Sequence, residues 1–505
     1  MHNEIALSTS ASDRDNLEKP TDQYDEEGNT DLAAANPKLQ RRVLLKQDLT
    51  ILPILAICYF FSYVDRGQIG NARILGLQKD LGLSADQYYN TLLVFFIGYA
   101  VIELPCCLAL LYIRPSLHFG VATVVFGMLA TLIAAIHSYG ALIAIRFLLG
   151  LSEAFVQAAF IFVSLWYQRD ELALRVAIFW NATPLAGAVS GLIAYGVGKN
   201  LHDAHGIAAW RWLFIVEGVP TIAWGLLVLF LLPSRPDTVA EKGSWLFRSQ
   251  AERELIRKRT LKAKNAINAK FTPQQMLAAL KDVKPWLDCL ILPAFGLGVA
   301  AFTLFTPTFI REFGFSPLNT QLLTVIPYGA AFIAVPIICT ISDRYAARAV
   351  PLLFCYAISA AGFVLLLATT NKVARIAGTS LVAIGSNTGT VLAATWVTVT
   401  YPNFTKKSTV WALCQFVTQA YSILGTKIYD KPPRFFKGHG TLLGLQTLAA
   451  VLVCVKAYLM WKENKRRDLA RDQALGNGAS EQSVAGENGL EEAADEKHRD
   501  FRYLL

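Results

Sequence analysis

The sequence predicts an all-α membrane protein: twelve transmembrane helices in two six-helix, pseudo-symmetric bundles. Three observations carry that prediction. The 505 residues are 54% hydrophobic and only 17% charged, where an ordinary soluble domain is roughly 45–50% apolar and about 25% charged. The apolar residues gather in blocks about 20 residues long, the length that crosses a bilayer as a helix. The blocks fall into two sets of six, parted by one long basic stretch. Helices are favoured because they satisfy their own backbone hydrogen bonds, which lipid cannot do. The short alternating strands of a β-barrel are not seen.

Taken in order, residues 1–45 are polar and rich in Asp, Glu, Asn and Ser, and read as a disordered tail with no cleavable signal peptide. A first bundle over 46–233 holds apolar blocks near 49–75, 88–110, 117–137, 140–163, 173–197 and 211–233. A linker over 234–285 carries Arg253, Arg257, Lys258, Arg259, Lys262 and Lys264. A second bundle over 286–461 holds blocks near 286–310, 320–342, 349–369, 374–398, 407–428 and 440–461. The charged stretch 462–505 reads as a second disordered tail.

An even number of spans puts both tails on one side. The positive-inside rule makes that side cytoplasmic, because the linker, Arg344 and Arg348, Lys406 and Lys407, and Lys462, Lys465, Arg466 and Arg467 all fall there. Opposite loops carry Lys199, Arg211, Lys372, Lys431, Arg434 and Lys437, so the contrast is incomplete. The net charge of +9 therefore reads as topology, with no nucleic-acid partner implied. The eight cysteines lie within or at the edges of apolar blocks, as packing residues rather than a disulfide framework or zinc site. No P-loop, metal cluster or nucleophile constellation is evident, so neither an enzyme nor a cofactor is expected.

The chemistry gathers in four charges inside apolar blocks: Asp65, Arg66, Arg146 and Glu153. A charge at the centre of a membrane helix costs roughly 2.5–3.5 kcal/mol on insertion scales, so four of them imply a polar path inside a bundle. Arg146 and Glu153 are seven residues apart, about two turns, and share a helix face. They read either as a structural tie to a neighbouring helix or as a proton switch. In a switch, a nearby arginine favours the ionised carboxylate, and its movement changes proton affinity. Adjacent Asp65 and Arg66 point about 100° apart and need separate partners. The planar fork of Arg66 suits a substrate carboxylate. Asp65 is a second protonation site or the partner of Arg146.

Tyr63, Asn181, Tyr328, Asn387 and Gln415 are candidates to line a substrate cavity. Each also fits a helix–helix hydrogen bond. Glu103, two residues before Pro105, reads as a packing element. Asp343, Arg344 and Arg348 read as a gating latch at the cytoplasmic helix ends, and Trp210-Arg211-Trp212 as an interfacial anchor.

Several of these segments resemble a known family. Tyr63-x-Asp65-Arg66 with Gly70-Asn71-Ala72, Arg146-Phe147-Leu148-Leu149-Gly150-Leu151-x-Glu153 leading to Trp166-Tyr167, and Trp210-Arg211-Trp212-Leu213-Phe214-x-x-Glu217-Gly218-x-Pro220 are similar to signatures of the anion:cation symporter branch of the major facilitator superfamily. Ser342-Asp343-Arg344-x-x-x-Arg348 resembles the superfamily's cytoplasmic loop motif, and Asp430-x-Pro432-Pro433-Arg434-Phe435 its loop before the last helix. The likeness spans 46–462 and is nearest to fungal permeases for allantoate, nicotinate and pantothenate. Departures occur at Gln68, Cys107 and Gln157-Ala158.

The resemblance implies a monomeric secondary transporter in the plasma membrane. It would carry a small organic anion with protons by alternating access, with the Arg146 and Glu153 positions in coupling. An exporter of a secondary metabolite or toxin on the same fold, or a nutrient sensor without flux, are the alternatives.

Overall fold

Long apolar blocks without competing backbone partners become helices, and the computed structural model is built almost wholly of them. It describes residues 37–168, 171–201, 204–262, 272–315, 317–429, 434–476 and 502–504. Expectations on 1–36, Lys264, Asp430–Pro433 and 477–501 lie outside the described residues.

The first half contains α1 Pro37–Ile74, α2 Leu77–Asp80, α3 Ala85–Ala109, α4 Pro115–Ile133, α5 Tyr139–Gln157, α6 Ala159–Trp166, α7 Leu172–Trp180, α8 Ala182–Asn200 and α9 Ala209–Leu231. The α5–α6 and α7–α8 pairs each form one span, broken at Ala158 and at Asn181. Three short helices follow in the linker: α10 Pro236–Lys242, α11 Gln250–Lys262 and α12 Pro273–Lys281. The second half contains α13 Val283–Glu312, α14 Pro317–Arg344, α15 Ala349–Ala368, α16 Lys372–Thr400, α17 Phe404–Ile428 and α18 Phe436–Gly476.

Local chemistry sets several starts. Ser84 and Gln87 form a reciprocal capping box at α3. Proline occupies the first turn of α4, where its missing N–H costs nothing. Asn371 caps α16 with its side chain.

Among the described residues, eleven spans are long and apolar enough to cross a membrane by hydropathy alone. The twelfth, α17, is 25 residues long. It is less apolar because Lys406, Lys407, Gln415 and Gln419 interrupt it.

The halves repeat one packing scheme. In the first, α1 meets α8 and α9, α3 meets α5, and α4 meets both α5 and α9. In the second, α13 meets α17 and α18, α14 meets α16, and α15 meets both α16 and α18. Helices α3 and α17, and α8 and α14, join the halves in the same pairwise sense. Close approach within the first half depends on glycine. A Cβ at Gly98 would strike the backbone oxygen of Phe147, and one at Gly150 that of Phe95.

Three sequence expectations are corrected. Helix α1 begins at Pro37, inside the expected tail, because Val43 is fully buried and Lys46 pairs with Glu252 of α11 at 2.7 Å. Helix α18 runs on to Gly476, and Tyr503 packs back against it. Tyr503 exchanges two backbone–side-chain hydrogen bonds with Asn464, both 2.9 Å, and Leu504 O accepts from Trp396 Nε1. Trp210 is wholly buried instead of interfacial, its Nε1 donating to Asp80 Oδ2 at 2.7 Å.

Candidate functional site

A cavity of about 120 Å³ lies between the halves. Tyr59, Tyr63, Arg66, Phe95, Phe96, Arg146, Gln157, Phe160 and Trp180 line it from the first half. From the second come Gly296, Thr303, Thr390, Trp411, Gln415, Gln419 and Ser422. Towards the face that carries both described chain ends, the walls are solid: residues 156–167, 385–402 and 404–412 are all buried. The lining continues the other way through Ile69, Leu92, Val299 and Ser422.

The four intramembrane charges form two crossed pairs. Arg66 Nε donates to Glu153 Oε2 at 2.9 Å, and Ser62 Oγ donates to the same oxygen at 2.7 Å. Arg146 Nη1 lies 3.6 Å from Asp65 Oδ2. The arginine partner of Glu153 is thus Arg66 and not Arg146. The reason is the 100° step between Asp65 and Arg66, which sends each to a different place.

The two pairs differ in quality. Glu153 is fully buried and doubly hydrogen-bonded at Oε2, while its Oε1 has no hydrogen-bond partner. The Arg66 side chain keeps 17% exposure to the cavity. Its guanidinium lies 4.8 Å from the Tyr63 ring centre, 4.9 Å from Tyr99 and 5.5 Å from Phe95, in cation–π range. The Arg146–Asp65 pair is looser. Neither Asp65 oxygen, nor Arg146 Nε or Nη2, has a hydrogen-bond partner. Among the described residues of this half, two more carboxylates are buried. Glu217 is 4% exposed with neither oxygen hydrogen-bonded, and Glu103 is 1% exposed with Oε2 unsatisfied.

The other sequence candidates divide. Tyr63 and Gln415 line the cavity, whereas Asn181, Tyr328 and Asn387 do not. Asn181 sits at the α7–α8 break and donates to Phe332 O of α14 at 3.0 Å, across the halves. Tyr328 is 8% exposed, its ring packed over Gly187. Asn387 accepts from Trp180 Nε1 at 3.2 Å and so orients a cavity ring from behind.

At the terminal face, Arg348 is fully buried and donates to Asp343 Oδ1 at 2.7 Å. The Asp343 carboxylate accepts from Ala173 N at 3.1 Å and Leu174 N at 2.7 Å, capping α7 of the other half. An anion there meets the positive end of a helix dipole. Lys407 reaches Ser164 at 3.4 Å, another bond across the seam. Arg344 is exposed.

Ser62, Gln157, Trp180, Trp411 and Gln419 escaped sequence reasoning. Ser62 stands one turn before Arg66, a spacing that points it to the same place. The aromatic residues carried no usable signal, because apolar rings are ordinary in a span. Also unforeseen is the Lys456–Asp288 ion pair, both residues at most 2% exposed, where Asp288 accepts from Tyr401 Oη at 2.8 Å.

A family profile described as Major Facilitator Superfamily matches residues 55–426. The chain belongs to the major facilitator superfamily. It is similar to the high-affinity nicotinic acid transporter of Saccharomyces cerevisiae, 28% identical over 477 residues, covering 92% of this chain and 85% of that one. The MFS-type transporter cnsO of Penicillium expansum is 31% identical over 446 residues, with 85% of each chain covered. Among solved structures, the proton:xylose symporter XylE bound to 6-bromo-6-deoxy-D-glucose superposes with a TM-score of 0.63 at 13% identity, over 82% of this chain and 95% of that one. That likeness shows the fold, with its two six-helix bundles. As a superfamily member, the chain is a multi-pass membrane transporter and not an enzyme.

Proposed function

We propose that the protein is a proton-coupled symporter of a small organic anion, working by alternating access, with Arg66 shared between Glu153 and the substrate carboxylate. The observation that carries this reading is the placement of Arg66. Its Nε holds a buried carboxylate, while the side chain also lines the cavity and keeps 17% exposure. A cation beside a carboxylate favours its ionised form, and removing the cation favours protonation. An incoming carboxylate that draws Arg66 away would therefore load Glu153 with a proton. Anion and proton then enter a closed site together as a neutral pair. Asp65 and Arg146 form the second charge pair on the path. Tyr63, Gln415 and the rings of Phe160, Trp180 and Trp411 would meet the substrate's body, which favours a flat, largely apolar acid.

The Asp343–Arg348 latch and the bonds from Asn181 and Asn387 would hold the terminal face shut, and would break when the carrier opens there. Tyr328 would belong to the same seam. The basic residues of that face support a cytoplasmic assignment for it, so the present state faces outward. Import across the plasma membrane by a monomer is the accompanying reading. The nicotinic acid named for one relative is itself a carboxylic acid.

The test is uptake into proteoliposomes under an inward proton gradient, using labelled carboxylates, aromatic acids included. Accumulation that collapses when the gradient is dissipated is the expected result. Uptake that only equilibrates, with or without the gradient, would contradict coupling.

A further inference from the structure

The basic residues at the end of α18 do more than mark topology. A second cavity, of about 610 Å³, opens between the start of α13 and the end of α18. It is lined by Lys284, Lys462, Lys465 and Arg466, with Asp282 and Glu463 as its acids.

Both acids are already answered. Glu463 accepts from Arg466 Nη2 at 2.8 Å and from Arg467 Nε at 3.0 Å. Asp282 accepts from Lys406 Nζ at 2.8 Å. Lys462 and Lys465 are exposed and, among the described residues, pair with no carboxylate. The pocket therefore keeps an excess of positive charge.

Its surroundings place it at the membrane–water boundary. Val283, Leu459 and Leu469 form its apolar wall. Trp461 and Tyr458, 46% and 58% exposed, stack with centroids 6.1 Å apart on the same helix. Lys465 Nζ lies 5.3 Å from the Trp461 ring. Amphipathic rings of this kind sit at headgroup level.

We infer that this pocket is a binding site for an anionic phospholipid with a phosphorylated headgroup, its phosphates held by Lys462 and Lys465, beside a Lys284 that already donates to Tyr503 Oη at 3.1 Å and lies 3.9 Å from Asp282, and its acyl chains laid along the outer face of α18. Basic pockets between transmembrane helices suit such headgroups. A soluble phosphate would use the cations but leave the apolar wall and exposed rings uncovered. The inference concerns a site apart from the transport cavity and does not depend on the substrate.

Native mass spectrometry of the delipidated full-length protein tests it, with phosphatidylinositol 4-phosphate and phosphatidylcholine of matched chains as probes. The wild type is expected to retain the phosphoinositide preferentially. The double variant Lys462→Gln/Lys465→Gln is expected to lose about tenfold to thirtyfold in affinity, from two basic residues near the membrane surface. A Lys79→Gln/Lys199→Gln control on the opposite face should bind as wild type. Glycerophosphoinositol 4-phosphate, the headgroup without chains, should fail to compete. Unchanged retention by the double variant, an equal loss in the control, or effective competition by the soluble headgroup would each overturn the proposal.

Discussion

The first half brings Arg66 and Arg146 to the cavity wall with Glu153 and Asp65 behind them, whereas the second half faces the same cavity with Gln415, Gln419, Thr303, Thr390 and Ser422. The two halves share one packing scheme, so fold alone does not dictate where charge goes. The second half has a buried ion pair of its own, Lys456–Asp288, but that pair lines no part of the cavity. Lys456 is held by Asp288 and by the Trp396 ring, 3.8 Å from its ammonium, and Asp288 also by Tyr401. Such a closed, matched pair suits structure. The first half's pairs are open, with unsatisfied oxygens and N–H groups and both arginines on the cavity wall. Charged groups held by few protein hydrogen bonds have less to lose on exchanging partners. Under the proposed function, coupling would fall to the first half and neutral recognition of the substrate body to the second.

Four substitutions break or sharpen that division. The largest effect is expected from Glu153→Gln, which removes the exchangeable proton: gradient-driven accumulation is lost while exchange of substrate for substrate survives, as measured in counterflow. A variant that still concentrates substrate would move the coupling elsewhere. Next, Lys456→Met strands Asp288 and should lower stability by about 3–5 kcal/mol, read as a reduced unfolding temperature, without changing the proton dependence of the protein that remains folded. Third, Arg66→Lys keeps the charge but loses the fork, and substrate affinity should fall about tenfold to a hundredfold. Wild-type affinity in that variant would argue against carboxylate binding by Arg66. Smallest, Gln415→Leu should change affinity by about twofold to tenfold, with different factors for different acids and unaltered coupling. A loss of coupling there would erase the distinction between the halves.

Much of the fold could be read from hydropathy, because lipid imposes length and apolarity on every span. The exceptions are instructive. The polar face of α17, with Gln415 and Gln419, is turned to the cavity, so the same residues that serve the site weaken its membrane signal. The break at Ala158 has no proline or glycine to announce it, and the break at Asn181 is marked only by Pro184, three residues on. Tyr503 returns to Asn464 over 39 positions, a contact that no local pattern encodes.

At the site, the four charges stood out because burial of charge in lipid is costly. Their pairing was legible in part: Asp65 is found beside Arg146, one of its two sequence readings, but the seven-residue spacing of Arg146 and Glu153 did not reveal that Glu153 takes Arg66. Asn387 illustrates a finer limit. It was a plausible cavity residue by position, yet its amide oxygen is engaged by Trp180, and only packing reveals that.

The most direct test of the exchange between Glu153 and substrate is calorimetric titration of the purified transporter with an acid that it transports, in buffers of different ionisation enthalpy near neutral pH. If the substrate carboxylate takes Arg66 from Glu153, binding should draw in about one proton per molecule by linkage, and Glu153→Gln should bind with no proton uptake. Binding without proton uptake by the wild type, or equal uptake by the variant, would contradict the account.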